Sequence, residues 1–204
     1  MQITIPRGEL KEAVAGFIKV VNGRSHTLPI LGGVRFENRE GGLAAEVTDL
    51  DQHLRYRVGS AQAQGEGAFI MPLANLKDLA HGNAQETVTF ETAEKGSVIV
   101  TNHVGDHEVK HPVSGLELDD WPTSPAEVET KSADRFLETY RRLLPFASTD
   151  STRYLLTGVY VEVADKGEHP VTMVACDGKR LSCCNTMNLP LARSLIVPTT
   201  KFLS

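Results

Sequence analysis

Cysteine is scarce in this chain, and no apolar run is long enough to cross a bilayer. The three cysteines, Cys176, Cys183 and Cys184, are odd in number, two are adjacent, and no Cys-x-x-Cys spacing occurs. That excludes a disulfide framework and the common zinc-ligand sets, leaving cysteine as a small hydrophobe in a reduced, cytoplasmic setting. A membrane helix needs roughly 18 consecutive apolar residues, so no membrane partner is expected. The opening Met1-Gln2-Ile3-Thr4-Ile5-Pro6 lacks the basic start and apolar core of a secretory signal. Positive charge is also short, with 21 Lys and Arg against 26 Asp and Glu and a formal net charge of -5. A general nucleic-acid coat is excluded by that balance, although a local basic surface fits within an acidic total.

What is present is an ordinary globular composition, 41% hydrophobic and 23% charged, over 204 residues. That length holds one large domain or two small ones. Residues 1–5 alternate like a strand. Leu10, Val14, Phe17, Ile18 and Val21 recur at helical spacing opposite Glu12 and Lys19, and Asn22-Gly23 ends that helix. Arg24 to Pro29 reads as a loop. Strands are predicted at Ile30–Glu37, Leu43–Thr48, His53–Val58 and Ala68–Met71. Pro72 opens a second helix whose apolar side is Leu73, Leu76, Leu79 and Ala80. Strands follow at Thr87–Phe90, Ser97–Thr101 and His107–Val113, and the acidic, proline-bearing Leu116–Pro125 reads as a linker.

The pattern then begins again. A shift of 126 pairs Leu10, Val14, Phe17 and Ile18 with Phe136, Tyr140, Leu143 and Leu144. A shift of 125 pairs Leu31-Gly32-Gly33-Val34 with Leu156-Thr157-Gly158-Val159. Asp49 answers to Asp177 at 128 and Pro72 to Pro198 at 126. Drift by a few residues is what loop insertions do to a duplicated domain. Each unit runs strand, helix, about four strands, then a Pro-initiated helix. Ser204 falls near position 78 of the first copy, so the second copy is incomplete. Either the chain is a fragment or another chain covers the open sheet edge.

The stretch from Arg153 to Leu181 carries the strongest candidate site. Two predicted strands, Leu156–Val163 and Pro170–Ala175, are joined by the turn-forming Ala164-Asp165-Lys166-Gly167. Beyond them Asp177-Gly178 signals a hairpin that presents Lys179 and Arg180, with Leu156 and Leu181 on the neighbouring sheet. An apolar floor rimmed by cations suits peptide docking better than catalysis. An ordinary hairpin with a solvated turn accounts for the same residues.

Catalytic readings have little to stand on. Asp49, Asp51 and Asp177 form a conceivable metal-binding acidic set for phosphoester hydrolysis, but Asp-Leu-Asp and Asp-Gly are turn formers in separate repeat units. His103, His107 and His111 recur every four residues, as metal ligands on one face do. Val104-Gly105-Asp106 interrupts them, which favours a solvated hairpin. No enzyme activity, cofactor or metal is expected.

Several motifs in order resemble the bacterial sliding clamp family, the beta subunit of DNA polymerase III. Arg24-Ser25-His26-Thr27-Leu28-Pro29-Ile30-Leu31-Gly32 is similar to the family's Arg-x-Thr-Leu-Pro-Ile-Leu segment, with one extra residue. Thr48-Asp49-Leu50-Asp51, Asp120-Trp121-Pro122 and Phe146-Ala147-Ser148-Thr149-Asp150-Ser151-Thr152-Arg153 also resemble family signatures. So do Asp177-Gly178-Lys179-Arg180-Leu181 and Ile196-Val197-Pro198. The fold implied is α+β, a duplicated clamp fold with two helices on antiparallel sheets per unit. Residues 1–125 would form the first clamp domain, and 126–204 a partial middle domain lacking its last strands.

The resemblance implies a homodimeric ring of such units around double-stranded DNA, which tethers the replicative polymerase without catalysis or base readout. Lys11, Lys19, Arg141 and Arg142 lie on the predicted long helices, where some would face the hole. Arg24 and Tyr154 match family positions that touch DNA, and Arg153 is adjacent. Polymerase and clamp-loader subunits would insert short hydrophobic peptides against Leu156, Cys176, Gly178, Lys179, Arg180 and Leu181. Lys179 stands for the usual histidine and Cys176 for the usual threonine. Asp150 is a carboxylate where some members have an uncharged polar residue near DNA, and it would repel phosphate. The family's apolar pair on a late strand, offered to the neighbouring subunit, corresponds here to the polar His107-Glu108-Val109-Lys110-His111. A clamp-like interaction module that never encircles DNA is the alternative. The cytoplasm, at the bacterial nucleoid, is the implied location.

Overall fold

Leu10, Ala13, Val14, Phe17 and Val20 form one buried stripe of the first helix, α1 (Arg7–Val20), as helical periodicity requires. Ile18 leaves that stripe. It lies about 100° round the helix from Phe17, outside the covered arc, and is 39% exposed. The computed structural model describes residues 1–21, 28–40, 42–105, 107–125, 134–164, 171–187 and 191–203. Asn22-Gly23 and the Arg24–Thr27 part of the expected loop lie outside them. The chain divides into two compact units, Met1–Ala126 and Glu127–Ser204.

In the first unit, β1 (Gln2–Pro6) leads into α1. β2 (Gly33–Arg39), β3 (Gly42–Thr48), β4 (His53–Arg57), β5 (Gln62–Gln64) and β6 (Gly67–Pro72) follow. Then come α2 (Leu73–Leu79), β7 (Thr87–Thr92), β8 (Ser97–Val104) and β9 (His107–Ser114). The strands form two antiparallel sheets, ordered β5-β1-β7-β8-β9 and β4-β3-β2-β6. Alternation points Ile3, Ile5, Val88, Phe90, Val98 and Val100 of the first sheet inward, and Val34, Phe36, Ala45, Val47, Phe69 and Met71 of the second. Phe36 stacks on Phe69 at 5.1 Å and on Phe90 at 5.8 Å, so the two sheets meet through aromatic rings. Leu73, Leu76, Leu79 and Ala80 are buried under α2.

Several readings of the first unit change. Ile30–Gly32 is not strand: Pro29–Gly32 is a 3-10 turn, and β2 begins at Gly33. Pro29 holds its own φ near the helical value at the start of that turn. β5 is an added strand, Gln-Ala-Gln, exposed throughout, with no apolar alternation to reveal it. Leu116–Pro125 is no free linker. Leu116 donates its N–H to the Ile70 carbonyl at 3.1 Å, and Leu116 and Trp121 pack against Ile30, Leu31 and Ile70.

The second unit contains α3 (Asp134–Leu143), β10 (Gly158–Val163), β11 (Val171–Cys176), β12 (Leu181–Met187) and β13 (Leu195–Pro198). One antiparallel sheet, β12-β11-β10-β13, buries Val159, Val161, Val171, Met173 and Ala175 against Tyr140 and Leu143. Pro145 follows α3 closely and turns Leu144–Phe146 into a 3-10 turn. Leu156 closes the 3-10 segment Ser151–Leu156, so the strand predicted from Leu156 starts two residues later. Pro170 and residues 165–167 of the expected turn lie outside the described residues. The helix start read at Pro198 appears as a turn over residues 201–203.

The duplication extends to strand register. Gly33 pairs with Pro72 and Val34 with Met71; Gly158 pairs with Pro198 and Val159 with Val197. A Cβ on Gly33 would lie 2.6 Å from Ile70 Cγ2, and one on Gly158 would lie 2.7 Å from Ile196 Cγ2 and 2.6 Å from the Val197 carbonyl oxygen. Both glycines are therefore needed for close approach. Gly158→Ala is expected to destabilise the second unit by about 1–3 kcal/mol through overpacking. Hydrogen exchange of the β10 and β13 amides would accelerate in step; unchanged exchange contradicts it.

Candidate functional site

Asp177 organises the hairpin between β11 and β12. Its Oδ1 accepts the N–H of Lys179 at 2.9 Å and of Arg180 at 2.7 Å, while its own N–H donates to the Arg180 carbonyl at 3.2 Å. Arg180 returns Nε and Nη2 to Asp177 Oδ2 at 3.0 and 2.9 Å. Asp49 builds the same turn in the first unit. Its Oδ1 accepts from the N–H groups of Asp51 and Gln52, and its N–H donates to the Gln52 carbonyl at 3.2 Å. Gly178 has φ +88°, and Leu50, its counterpart at a shift of 128, has φ +76°. These carboxylates serve turns, as the turn reading of the acidic set required. Among the described residues no group of three or more His, Cys, Asp or Glu side chains is placed to hold a metal.

The backbone N–H of Arg180, then that of Lys179 and the Arg180 guanidinium, hold the Asp177 carboxyl below its usual 3.8, at about 2. A depressed carboxylate stabilises the folded turn above the unfolded value of 3.8 and loses that contribution as pH falls through about 2. The Lys179 and Arg180 amide resonances are expected to titrate with a midpoint near pH 2. A midpoint near 3.8 would show that the amides do not hold the carboxylate.

The segment Ser151–Leu156 brings the other candidates alongside. Asp150 caps it, accepting from the Thr152 hydroxyl at 2.7 Å and the Thr152 N–H at 3.0 Å. Those two bonds, with the Arg153 charge behind them, lower the Asp150 carboxyl below its ordinary value. Arg153 Nε lies 3.6 Å from Asp150 Oδ2, and a Cβ on Gly178 would lie 2.9 Å from Arg153 Nη1. The Arg153 guanidinium therefore reaches the hairpin turn. Arg180 Nη2 donates to the Pro145 carbonyl at 3.3 Å, and its guanidinium carbon sits 5.8 Å from the Phe146 ring centre. Cys176 pairs with Leu181 across the hairpin, and Gly178 N–H donates to Cys176 Sγ at 3.2 Å.

Arg153 thus reaches Gly178, Arg180 is held by Asp177 of the same turn, and Cys176 and Leu181 are joined by pairing. Leu156 is half-buried, at the end of the segment that carries Arg153. Tyr154 and Leu181 are exposed at 73% and 64%, open apolar surface beside cations. Two contributors escaped the sequence reading. Phe146 is the ring under Arg180; it opens the Phe146–Arg153 motif but was given no role there. Leu155 is exposed and next to Tyr154, where an apolar residue in a turn was the available cue.

The helix cations are distributed differently. Lys11 and Lys19 are exposed on α1, as is Ile18. Arg141 Nε donates to the Leu203 carbonyl at 3.2 Å, and Arg142 pairs with Glu138 at 2.6 Å one turn earlier. Arg24 lies outside the described residues. The histidines do not share a face: His103 pairs with Glu108, whereas His107 and His111 lie opposite Val104 and Val100. The hairpin reading of that triplet accounts for their places.

Residues 1–125, more than half of the chain, match the family model for the DNA polymerase III beta subunit, N-terminal domain. The chain belongs to the DNA polymerase III beta subunit family. The beta sliding clamp of Caulobacter vibrioides is 28% identical over 193 residues, covering 89% of this chain and 49% of that protein. The beta sliding clamp of Escherichia coli K12 is 27% identical over 198 residues, covering 96% and 51%. The chain therefore spans about half the length of the curated relatives it matches. Two solved structures share the fold. One is a DnaN sliding clamp from Bartonella birtlesii bound to griselimycin (TM-score 0.80, 22% identity, 97% of this chain and 54% of that one). The other is the beta subunit from Streptococcus pyogenes DNA polymerase (TM-score 0.77, 18% identity, 97% and 53%). The sliding-clamp α+β fold follows from this membership and from the solved structures. No helix among the described residues is long and apolar enough to cross a membrane.

Proposed function

We propose that this chain acts as a sliding-clamp subunit, encircling duplex DNA non-catalytically and docking partner peptides in the bacterial cytoplasm. Residues 1–125 serve as the first clamp domain and 126–204 as part of the middle one. The observation that carries this reading is the repeated register, Gly33 on Pro72 and Gly158 on Pro198, in a chain whose first unit matches the family model. Lys11 and Arg141 on the helices, with Arg24, Arg153 and Tyr154, make loose phosphate contacts that permit sliding. Leu156, Cys176 and Leu181 form an apolar floor that Gly178, Lys179 and Arg180 border, where polymerase and clamp-loader peptides dock. A solved relative of this fold is bound to griselimycin, which supports a ligand-accepting surface. No cofactor enters this function.

The second reading, a clamp-like interaction module that does not encircle DNA, is favoured by β9. That strand is the edge of its sheet, and His107–Lys110 are exposed and mostly polar. A ring would offer this edge to a different surface of the neighbouring subunit. Retention on closed circular DNA that disappears when the circle is cut is expected of the ring. Equal retention on circular and linear DNA would favour the module.

A further inference from the structure

We propose that β9 pairs antiparallel with β9 of a second copy of this chain, in a register centred on Val109. β9 is the outermost strand of the sheet β5-β1-β7-β8-β9 and has a sheet partner, β8, on one side. An edge strand turns the N–H and C=O of every second residue out of the sheet. Pro112 fixes which ones. It lies opposite Ile99 in the ladder, and a proline within an edge strand directs its missing N–H away from the neighbouring strand. Glu108 and Lys110 share its phase, so their N–H and C=O groups point outward. Val109, between them, is an apolar side chain left 37% exposed.

Charge sets the register. Glu108 and Lys110 are exposed on one strand face, with Lys110 Nζ 3.7 Å from Glu108 Oε1. When two antiparallel copies meet with Val109 opposite Val109, Glu108 of each falls opposite Lys110 of the other. Each such pair exchanges both backbone hydrogen bonds and sets opposite charges directly across from one another. A shift by two residues either way, which keeps the outward phase, instead puts Glu108 opposite Glu108 or Lys110 opposite Lys110. On the other face Val109 meets its own counterpart, and His107 meets His111. Lysine and proline are residues by which edge strands avoid pairing. Here Lys110 meets an opposite charge, and Pro112 falls beyond the paired stretch His107–His111. The strand is complementary to itself, so its partner is a second copy. A contact confined to one edge buries less than the roughly 1,200 Å² of a standard stable complex, and the dimer is weak and reversible. Pairing withholds β9 from the different surface that a ring would give it, so copies joined this way are not closed into that ring.

The test is sedimentation equilibrium of the chain over a range of concentrations, with Trp121 fluorescence checking that each variant keeps the first unit folded. Reversible dimerisation is expected. Glu108→Lys and Lys110→Glu each place like charges opposite one another and weaken it about tenfold. An equimolar mixture of the two variants restores association, since every lysine then faces a glutamate. Val109→Cys is expected to form a disulfide-linked dimer on oxidation, mapped by mass spectrometry to position 109 of both copies. Directly opposite, non-hydrogen-bonded positions lie about 4.5 Å apart, within a disulfide's reach. Glu108→Cys does not crosslink to itself, because its counterpart is displaced about 7 Å along the strand as well as across it. A monomer at every concentration, a mixture no stronger than its components, or equal crosslinking at 108 and 109 overturns the proposal. Retention on closed circular DNA is measured separately, so failure here leaves the clamp reading untouched.

Discussion

Glu46→Gln destabilises the first unit by about 2–3 kcal/mol, the expected result of removing one charge from a buried network. Glu46 is fully buried although it points away from the aromatic core, on the outer face of β3. Arg35 of β2 and Arg55 of β4 lie directly across from it, with nitrogens 3.0 and 3.2 Å from its two oxygens. Ser124, at the end of the segment that carries Trp121, donates to Glu46 Oε2 at 3.0 Å. Glu37 pairs with Arg35 at 2.5 Å and with Arg39 at 2.6 Å. An amide at position 46 leaves the mostly buried Arg35 guanidinium short of charge and removes a partner of the more exposed Arg55. The retained Glu37 pair keeps the loss below the upper end of about 5 kcal/mol. Trp121, the single tryptophan, packs on Ile30, Leu31 and Ile70 and reports this unit's unfolding in urea by fluorescence. A Glu46→Gln midpoint equal to the parent's would show that the network contributes nothing.

Leu181→Asp has the larger functional effect. Leu181 is 64% exposed at the start of β12, so an aspartate there is solvated and the unit stays folded. A partner peptide that buries Leu181 would instead have to desolvate a carboxylate at the centre of its contact. The expected loss is about 2 kcal/mol of binding, roughly thirtyfold in Kd, measured by fluorescence anisotropy with a labelled hydrophobic peptide. Leu118→Asp, at another exposed leucine in the first unit, serves as the control and leaves affinity unchanged. If both substitutions act alike, or neither acts, peptide docking is not at the Leu181 hairpin.

Local chemistry made much of this architecture legible. The stripe of α1 declared itself because burial on one side of a helix imposes a period near 3.6. Ile18 misled because periodicity marks the centre of a stripe better than its edge. The turns at Asp49 and Asp177 were legible because a carboxylate that caps its own turn needs no distant partner. β5 left no trace: its three exposed residues are strand only because β1 offers them backbone partners. The segment Leu116–Pro125 has a linker's composition, yet Ile70 accepts a hydrogen bond from Leu116 and Trp121 shares that apolar cluster.

By itself, the sequence determined the duplicated unit, the antiparallel strands, the two Asp-centred turns and the resemblance to sliding clamps. Each is written in residues near one another or in a period that recurs. Only tertiary structure decided that Arg153 reaches the Gly178 turn, that Arg180 lies against Phe146, and that Cys183 faces solvent while Cys184 packs inward. It also decided that Glu46 sits between two arginines from neighbouring strands. Those relations join residues far apart in the chain, and strand register selects which side chains meet. A slip of one residue in β3 or β12 would turn Glu46, Cys183 and Cys184 to the opposite face.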